Sequence, residues 1–164
     1  MIQAKGIEER VVLNMDRCIG CRSCSAACFY GHGGMPSVSY GVIAEGTLPV
    51  VCRQCTEPPC VEACPTDALE KDAEGVVQRS RMLCIGCRSC VLACPFGVIS
   101  EKLSAHLAPK CDLCEDRLRA GEIPRCVAAC TTGALRFEKV DKVEDSGLLL
   151  LSGRTVGTNP YKRR

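Results

Sequence analysis

Cys18-Ile-Gly-Cys21-Arg-Ser-Cys24-Ser-Ala-Ala-Cys28 and Cys84-Ile-Gly-Cys87-Arg-Ser-Cys90-Val-Leu-Ala-Cys94 agree at nine of eleven positions and stand 66 residues apart. Each places three thiols close together and a fourth four residues on, a rise of roughly 6 Å if the intervening residues are helical. The offset holds outward from these runs. Pro58-Pro-Cys60-Val-Glu-Ala-Cys64-Pro-Thr-Asp-Ala-Leu69 resembles Pro124-Arg-Cys126-Val-Ala-Ala-Cys130-Thr-Thr-Gly-Ala-Leu135, again 66 residues later. Cys52 and Cys55 map to Cys111 and Cys114 at an offset of 59, so one seven-residue length difference separates the halves. Self-similarity at a fixed offset marks duplicated structural units.

All sixteen cysteines fall into four groups of four by this reading, in a chain of 164 residues. The opening residues, MIQAKGIEERVV, contain no basic and apolar leader, so no export signal is expected and the chain is assigned to the cytoplasm. In a reducing compartment such a cysteine density points to ligands rather than disulfides. The hydrophobic share of 46% includes cysteine; without it roughly 36% remains, with no Trp. So little carbon scarcely offsets the ordering cost of roughly 1–2 kcal/mol per residue, and metal ligation is expected to replace much of the core. The longest aliphatic run, Leu148–Leu151, is far too short to cross a bilayer, so no direct membrane insertion is expected.

Groups one and three read C-x2-C-x2-C-x3-C, the run that binds 4Fe-4S clusters with its first three thiolates and passes its fourth to a neighbouring cluster. Group two is C-x2-C-x4-C-x3-C and group four C-x2-C-x11-C-x3-C, with Glu115–Arg125 an excursion between ligands. Structural zinc is the rival reading. Zinc sites set two C-x2-C pairs around a long spacer, which only group four approaches, and the repeat ties group four to group two. Four oxidised clusters, each bringing about −2 with its thiolates, would take the formal charge from +2 to about −6. An acidic holo-protein is not expected to bind nucleic acid.

The chain resembles the four-cluster, ferredoxin-like electron-transfer subunits of multi-subunit oxidoreductases. The resemblance runs from about Val11 to Phe137 and rests on the sixteen cysteines, Cys64-Pro65, Cys94-Pro95 and Lys110-Cys-Asp-Leu-Cys114. It implies an α+β, duplicated bacterial-ferredoxin-like fold, with short hairpins and short helices around four cubane clusters. It also implies crossed ligation. Cys18, Cys21, Cys24 and Cys130 hold one cluster, and Cys28, Cys111, Cys114 and Cys126 a second. Cys52, Cys55, Cys60 and Cys94 hold a third, and Cys64, Cys84, Cys87 and Cys90 a fourth. The repeat agrees, pairing outer groups one and four and inner groups two and three. Phe29 and Thr131 stand where the family carries proline after the last cysteine of a group.

As such a subunit, the chain is expected to have no catalytic site of its own and to conduct electrons for a partner. Its compact form most resembles the small subunit of tungsten-dependent aldehyde oxidoreductases, which implies a tungsten or molybdenum pterin catalytic subunit and a flavin subunit or carrier. Carbon monoxide dehydrogenase, hydrogenase or formate dehydrogenase would be served in the same way. A freestanding polyferredoxin or redox sensor is the reading of another class, and end-to-end self-association stays open.

The cluster unit is assigned to residues 1–138 and a C-terminal extension to 139–164, with its charges and Lys162-Arg163-Arg164 end suited to a partner or to solvent. Within the unit, Val11–Met15 and Ala134–Glu138 are expected to pair as strands, and Ala68–Lys71 with Gly75–Gln78 to form a hairpin. Residues 29–51 read as a loop or hairpin. His32 and His106 lie outside the ligand motifs and read as surface or loop residues. Arg22 and Arg88 hold matching places inside the cluster loops, either to tune potential or as inherited surface charge. Leu148–Leu151 is a partner patch or a locally packed segment.

Overall fold

The computed structural model describes residues 9–34, 37–43, 46–104, 110–139 and 149–150. Strand β1 (Glu9–Leu13) pairs antiparallel with β6 (Leu135–Lys139), from Glu9 opposite Lys139 to Leu13 opposite Leu135. The two ends of the repeat are thereby tied together, as the apolar runs predict. On its other side β1 meets β7 (Leu149–Leu150), giving the order β6-β1-β7. Strand β1 buries Val11, Val12 and Leu13 alike rather than alternating, with Val11 and Leu13 packed into the outer cluster. It stops short of Met15 because the Asn14 side chain accepts the Arg17 amide at 3.2 Å and opens a single 3-10 turn over Met15–Arg17.

Two hairpins complete the strands. β2 (Ser39–Ile43) and β3 (Gly46–Val50) lie within the segment read as loop or hairpin. β4 (Leu69–Lys71) and β5 (Val77–Arg79) flank a turn in which one Asp72 oxygen accepts the amides of Glu74 and Val76 at 3.0 and 2.8 Å. That Asx turn consumes the residues between the strands and shifts β5 two places beyond the start read from sequence.

The described residues form six short helices: α1 (Ser23–Gly31), α2 (Pro59–Glu62), α3 (Ser89–Ala93), α4 (Glu101–Ser104), α5 (Glu115–Arg119) and α6 (Arg125–Ala128). Among the described residues no helix is long and apolar enough to cross a membrane. Helix α1 packs on α6 and α2 on α3, so outer elements meet outer and inner meet inner. The interior is correspondingly divided. One cluster gathers Val11, Leu13, Val38, Val51, Leu113 and Leu135 around Cys24, Cys28 and Cys126. The other gathers Leu69, Val77, Val98 and Ile99 around Cys52 and Cys60.

Helix α1 is longer than the other cysteine-bearing helices, α2, α3 and α6, and Phe29 explains why. Proline after Cys64 and Cys94 cannot donate and disfavours helical geometry in the cysteine before it; Cys94 is extended, at φ −76° and ψ 109°. Phe29 imposes neither constraint, and α1 runs through Cys28 to Gly31. At Cys130 the chain leaves the helix without proline, turning through Gly133 at φ +62°, the place that Asp67 and Gly97 occupy after Cys64 and Cys94.

Candidate metal centre

In both C-I-G-C-R-S-C loops the glycine and the arginine are left-handed: Gly20 and Arg22 at φ 67° and 62°, Gly86 and Arg88 at 72° and 66°. The glycine adopts that region freely, whereas the arginine holds it against a cost of about 1–2 kcal/mol and launches the next helix. The alternation curls each loop so that its three thiols face one side. Arg22 and Arg88 are therefore backbone pivots, with exposed side chains; the Arg22 guanidinium lies 5.3 Å from the Tyr40 ring centre.

The thiols gather across groups. Cys18, Cys21 and Cys24 line one cavity, open at its mouth, together with Cys130. Cys84, Cys87 and Cys90 line a second with Cys64, and Cys52, Cys55 and Cys60 a third with Cys94. Of the remaining thiols, ionised Cys114 and Cys28 each oppose ionisation of Cys126, whereas Cys111 is opposed first by Cys52 of the inner set and less by Cys126. All sixteen are free, so no disulfide competes for them.

Spacing separates the candidate metals. Four sulfurs at 2.3 Å from one zinc ion stand about 3.8 Å apart. Among the described residues, which include every cysteine, no three thiols have their sulfurs within 4.8 Å of one another. The sulfurs stand too far apart for a single ion and suit a polynuclear cluster bound at its corners.

Hydrogen-bond donors surround the sulfurs, and they too repeat. The Cys21 sulfur is 3.3 Å from Ser23 Oγ and the Cys87 sulfur 3.4 Å from Ser89 Oγ. Cys64 and Cys130 lie 3.9 and 3.8 Å from Thr66 and Thr132 Oγ1. The Ser37 amide donates to Cys28 at 3.2 Å and the Leu135 amide to Cys130 at 3.3 Å. These contacts hold the exposed thiols of Cys21 and Cys87 below the ordinary range. At Cys64 and Cys130 they overcome burial, which acts the other way.

Deep in the cores burial wins. It pushes Cys60 up to about 11 and Cys126 up to about 12, and it raises Cys24, Cys28, Cys55, Cys90 and Cys111. Such thiols ionise only when a cation takes the charge, which metal binding supplies. The donor set, the sulfur spacing and the sulfur-directed amides fit 4Fe-4S clusters; when bound, the cluster supplies one-electron chemistry that no side chain here offers.

His32 departs from its surface reading. Helix α1, prolonged past Cys28, delivers it to the outer group-four loop, with its side chain only 11% exposed. Its Nε2 lies 3.4 Å from the Cys114 sulfur and 3.9 Å from Asp112 Oδ1. Contact with Cys114 raises the His32 pKa against the effect of burial; reciprocally, His32 holds Cys114 low although burial opposes it. Only the unusual Phe29 gave a sequence clue to this, because it lets the helix continue. His106 and the 139–164 extension, apart from Lys139 and Leu149–Leu150, lie outside the described residues.

Curled thiol loops, short helices and hairpins around sulfur-lined cavities define a ferredoxin-type iron–sulfur protein. The 4Fe-4S dicluster domain matches residues 44–140 and the 4Fe-4S binding domain residues 11–31, and the protein belongs to this family of electron-transport proteins. It is similar to an iron-sulfur protein of Rhodospirillum rubrum, 37% identical, with 82% of this chain and 85% of the relative aligned. Similarity extends to the thiosulfate reductase electron transfer subunit of Salmonella typhi, 39% identical over 78% of this chain and 74% of the relative. One subunit of the anaerobic dimethyl sulfoxide reductase of Escherichia coli is 32% identical, over 80% and 73%.

Proposed function

We propose that the chain holds four 4Fe-4S clusters in crossed ligand sets and conducts electrons as the non-catalytic subunit of a reductase complex. The observation that carries this reading is the sharing of each of three cavities by three cysteines of one group and the last cysteine of another. Matching left-handed residues and sulfur contacts 66 residues apart support two copies of one ferredoxin-type unit. The cluster unit occupies residues 1–138, with 139–164 an extension toward a partner. Exposed Ile19, next to Cys18, and exposed Ile85, next to Cys84, give two loops an apolar surface suited to docking.

Two of the named relatives belong to thiosulfate and dimethyl sulfoxide reductases, which favours a reductase as the catalytic partner. Compactness alone suggested a tungsten aldehyde oxidoreductase, and these names lend that choice no support. We assign the partner to the molybdenum or tungsten pterin class, with a flavin subunit or a small carrier at the other end of the relay. Metal and sulfide analysis of the complex purified anaerobically tests the whole reading. About sixteen iron and sixteen sulfide per chain are expected, with molybdenum or tungsten in the co-purifying subunit. Zinc in place of iron would overturn it.

A further inference from the structure

Lys110 is 9% exposed, yet no carboxylate among the described residues forms an ion pair with it. Its ammonium donates to the Val77 carbonyl at 2.8 Å and the Cys111 carbonyl at 3.1 Å. Gln54, 1% exposed, spans the same two residues: it accepts the Val77 amide at 2.8 Å and donates to the Cys111 carbonyl at 2.7 Å. The joint ties hairpin strand β5 and the second cysteine group to the start of the fourth, within the inner core that Val77 and Cys111 share. Carbonyls alone do not neutralise a buried cation, whose effective desolvation cost is several kcal/mol.

The anions within reach are thiolates. Val77, whose carbonyl takes the ammonium, lines the cavity of Cys52, Cys55, Cys60 and Cys94, and Cys111, whose carbonyl takes it too, belongs to the outer set with Cys28, Cys114 and Cys126. On the four-cluster reading, on which this inference rests, each of those sets carries about −2 when oxidised and gains a further negative charge with each electron. A fixed positive charge in low dielectric between them stabilises the reduced state of both.

We infer that Lys110 is the shared counter-charge of the inner Cys52–Cys55–Cys60–Cys94 centre and the outer Cys28–Cys111–Cys114–Cys126 centre, raising both potentials where electrons pass between the two halves. Passage makes and breaks no bond; one centre loses the electron that the next gains. Lysine is thus required for its charge, beyond its two carbonyl contacts, which an uncharged amide donor could retain.

The experiment compares Lys110→Gln and Lys110→Arg with the unaltered full chain, purified anaerobically, by iron analysis and by redox titration followed by electron paramagnetic resonance. With full iron in K110Q, two of the four midpoints are expected to shift to lower potential while K110R keeps them near their original values. Unchanged midpoints in iron-replete K110Q would overturn the inference. Should K110Q lose iron while K110R retains it, the charge itself is what the position requires, and the inference stands. Loss of iron from both variants would show that shape decides, and the inference fails. Failure of the underlying four-cluster reading shows separately, as an unaltered chain with far fewer than about sixteen iron.

Discussion

Cys94 ends α3 extended, its sulfur turned from its own group toward the cavity of Cys52, Cys55 and Cys60, and Cys64 does the converse. Cys94→Ser should therefore damage the cluster that three residues of the second group build, and spare the one on Cys84, Cys87 and Cys90. Iron is expected to fall from about sixteen to about twelve per chain, with one set of resonance signals lost. Loss of the Cys84 signals alone would refute the crossed assignment. The two loop arginines allow a finer test. Arg88→Gly relieves the left-handed backbone and costs unfolded-state entropy, so the net change is expected to lie between neutral and about 1 kcal/mol stabilising. Arg22→Gly also forfeits the stack on Tyr40, about 0.5–1 kcal/mol, and should fare worse. The guanidinium concentration that bleaches the cluster absorbance ranks the two; equal midpoints would deny the stack any role.

Helix α1 shows where sequence reading reached and where it stopped. The strands, the β4–β5 hairpin and the four cysteine-bearing helices were legible because apolar runs, turn residues and C-x3-C spacing are local signals. The extra turn to Gly31 was not, since its cause is the absence of proline at Phe29 and its consequence, His32 on Cys114, is an 82-residue contact. Nor could spacing show that Arg125 lies across Gly31, where any side chain on the helix would collide with it. Arg125 crosses there to grip Asp116 through both oxygens, at 3.0 and 2.6 Å. Its guanidinium holds the Asp116 carboxyl down to about 2, below the ordinary 3.8. The pair's stabilisation is therefore present above the ordinary carboxylate range and is lost as pH falls through about 2. Asp116 is over half exposed, so the gain is expected to stay under about 1 kcal/mol. Gly31→Ala improves helix propensity by about 1 kcal/mol and displaces Arg125. In that background Asp116→Asn should change the bleaching midpoint no further at neutral pH, whereas alone it should lower it. An equal loss in both backgrounds would show that Arg125 keeps its grip.

At the scale of the whole molecule the thiols occupy places that carbon fills in most small proteins. Cys24, Cys28 and Cys126 sit among the aliphatic residues of the outer core, and Cys52 and Cys60 among those of the inner. Around them, valine and leucine supply a thin shell rather than a centre, and the sequence showed as much once cysteine was removed from the hydrophobic count. What composition could not show is the polar joint at the edge of the inner shell. Gln54 and Lys110 meet there on Val77 and Cys111, and the joint includes a buried ammonium. Stripping iron with chelator and oxidant then removes three things together: the cavity contents, the cations that keep the buried thiols ionised, and the anions that offset Lys110. Nothing else in either core replaces them, so the two halves should unfold together rather than leave one behind. Far-ultraviolet circular dichroism and size exclusion, run anaerobically while iron is withdrawn, are expected to show loss of strand signal and expansion of the chain in step with bleaching. A compact apo-protein that keeps its strand signal would mean that the aliphatic shells suffice on their own.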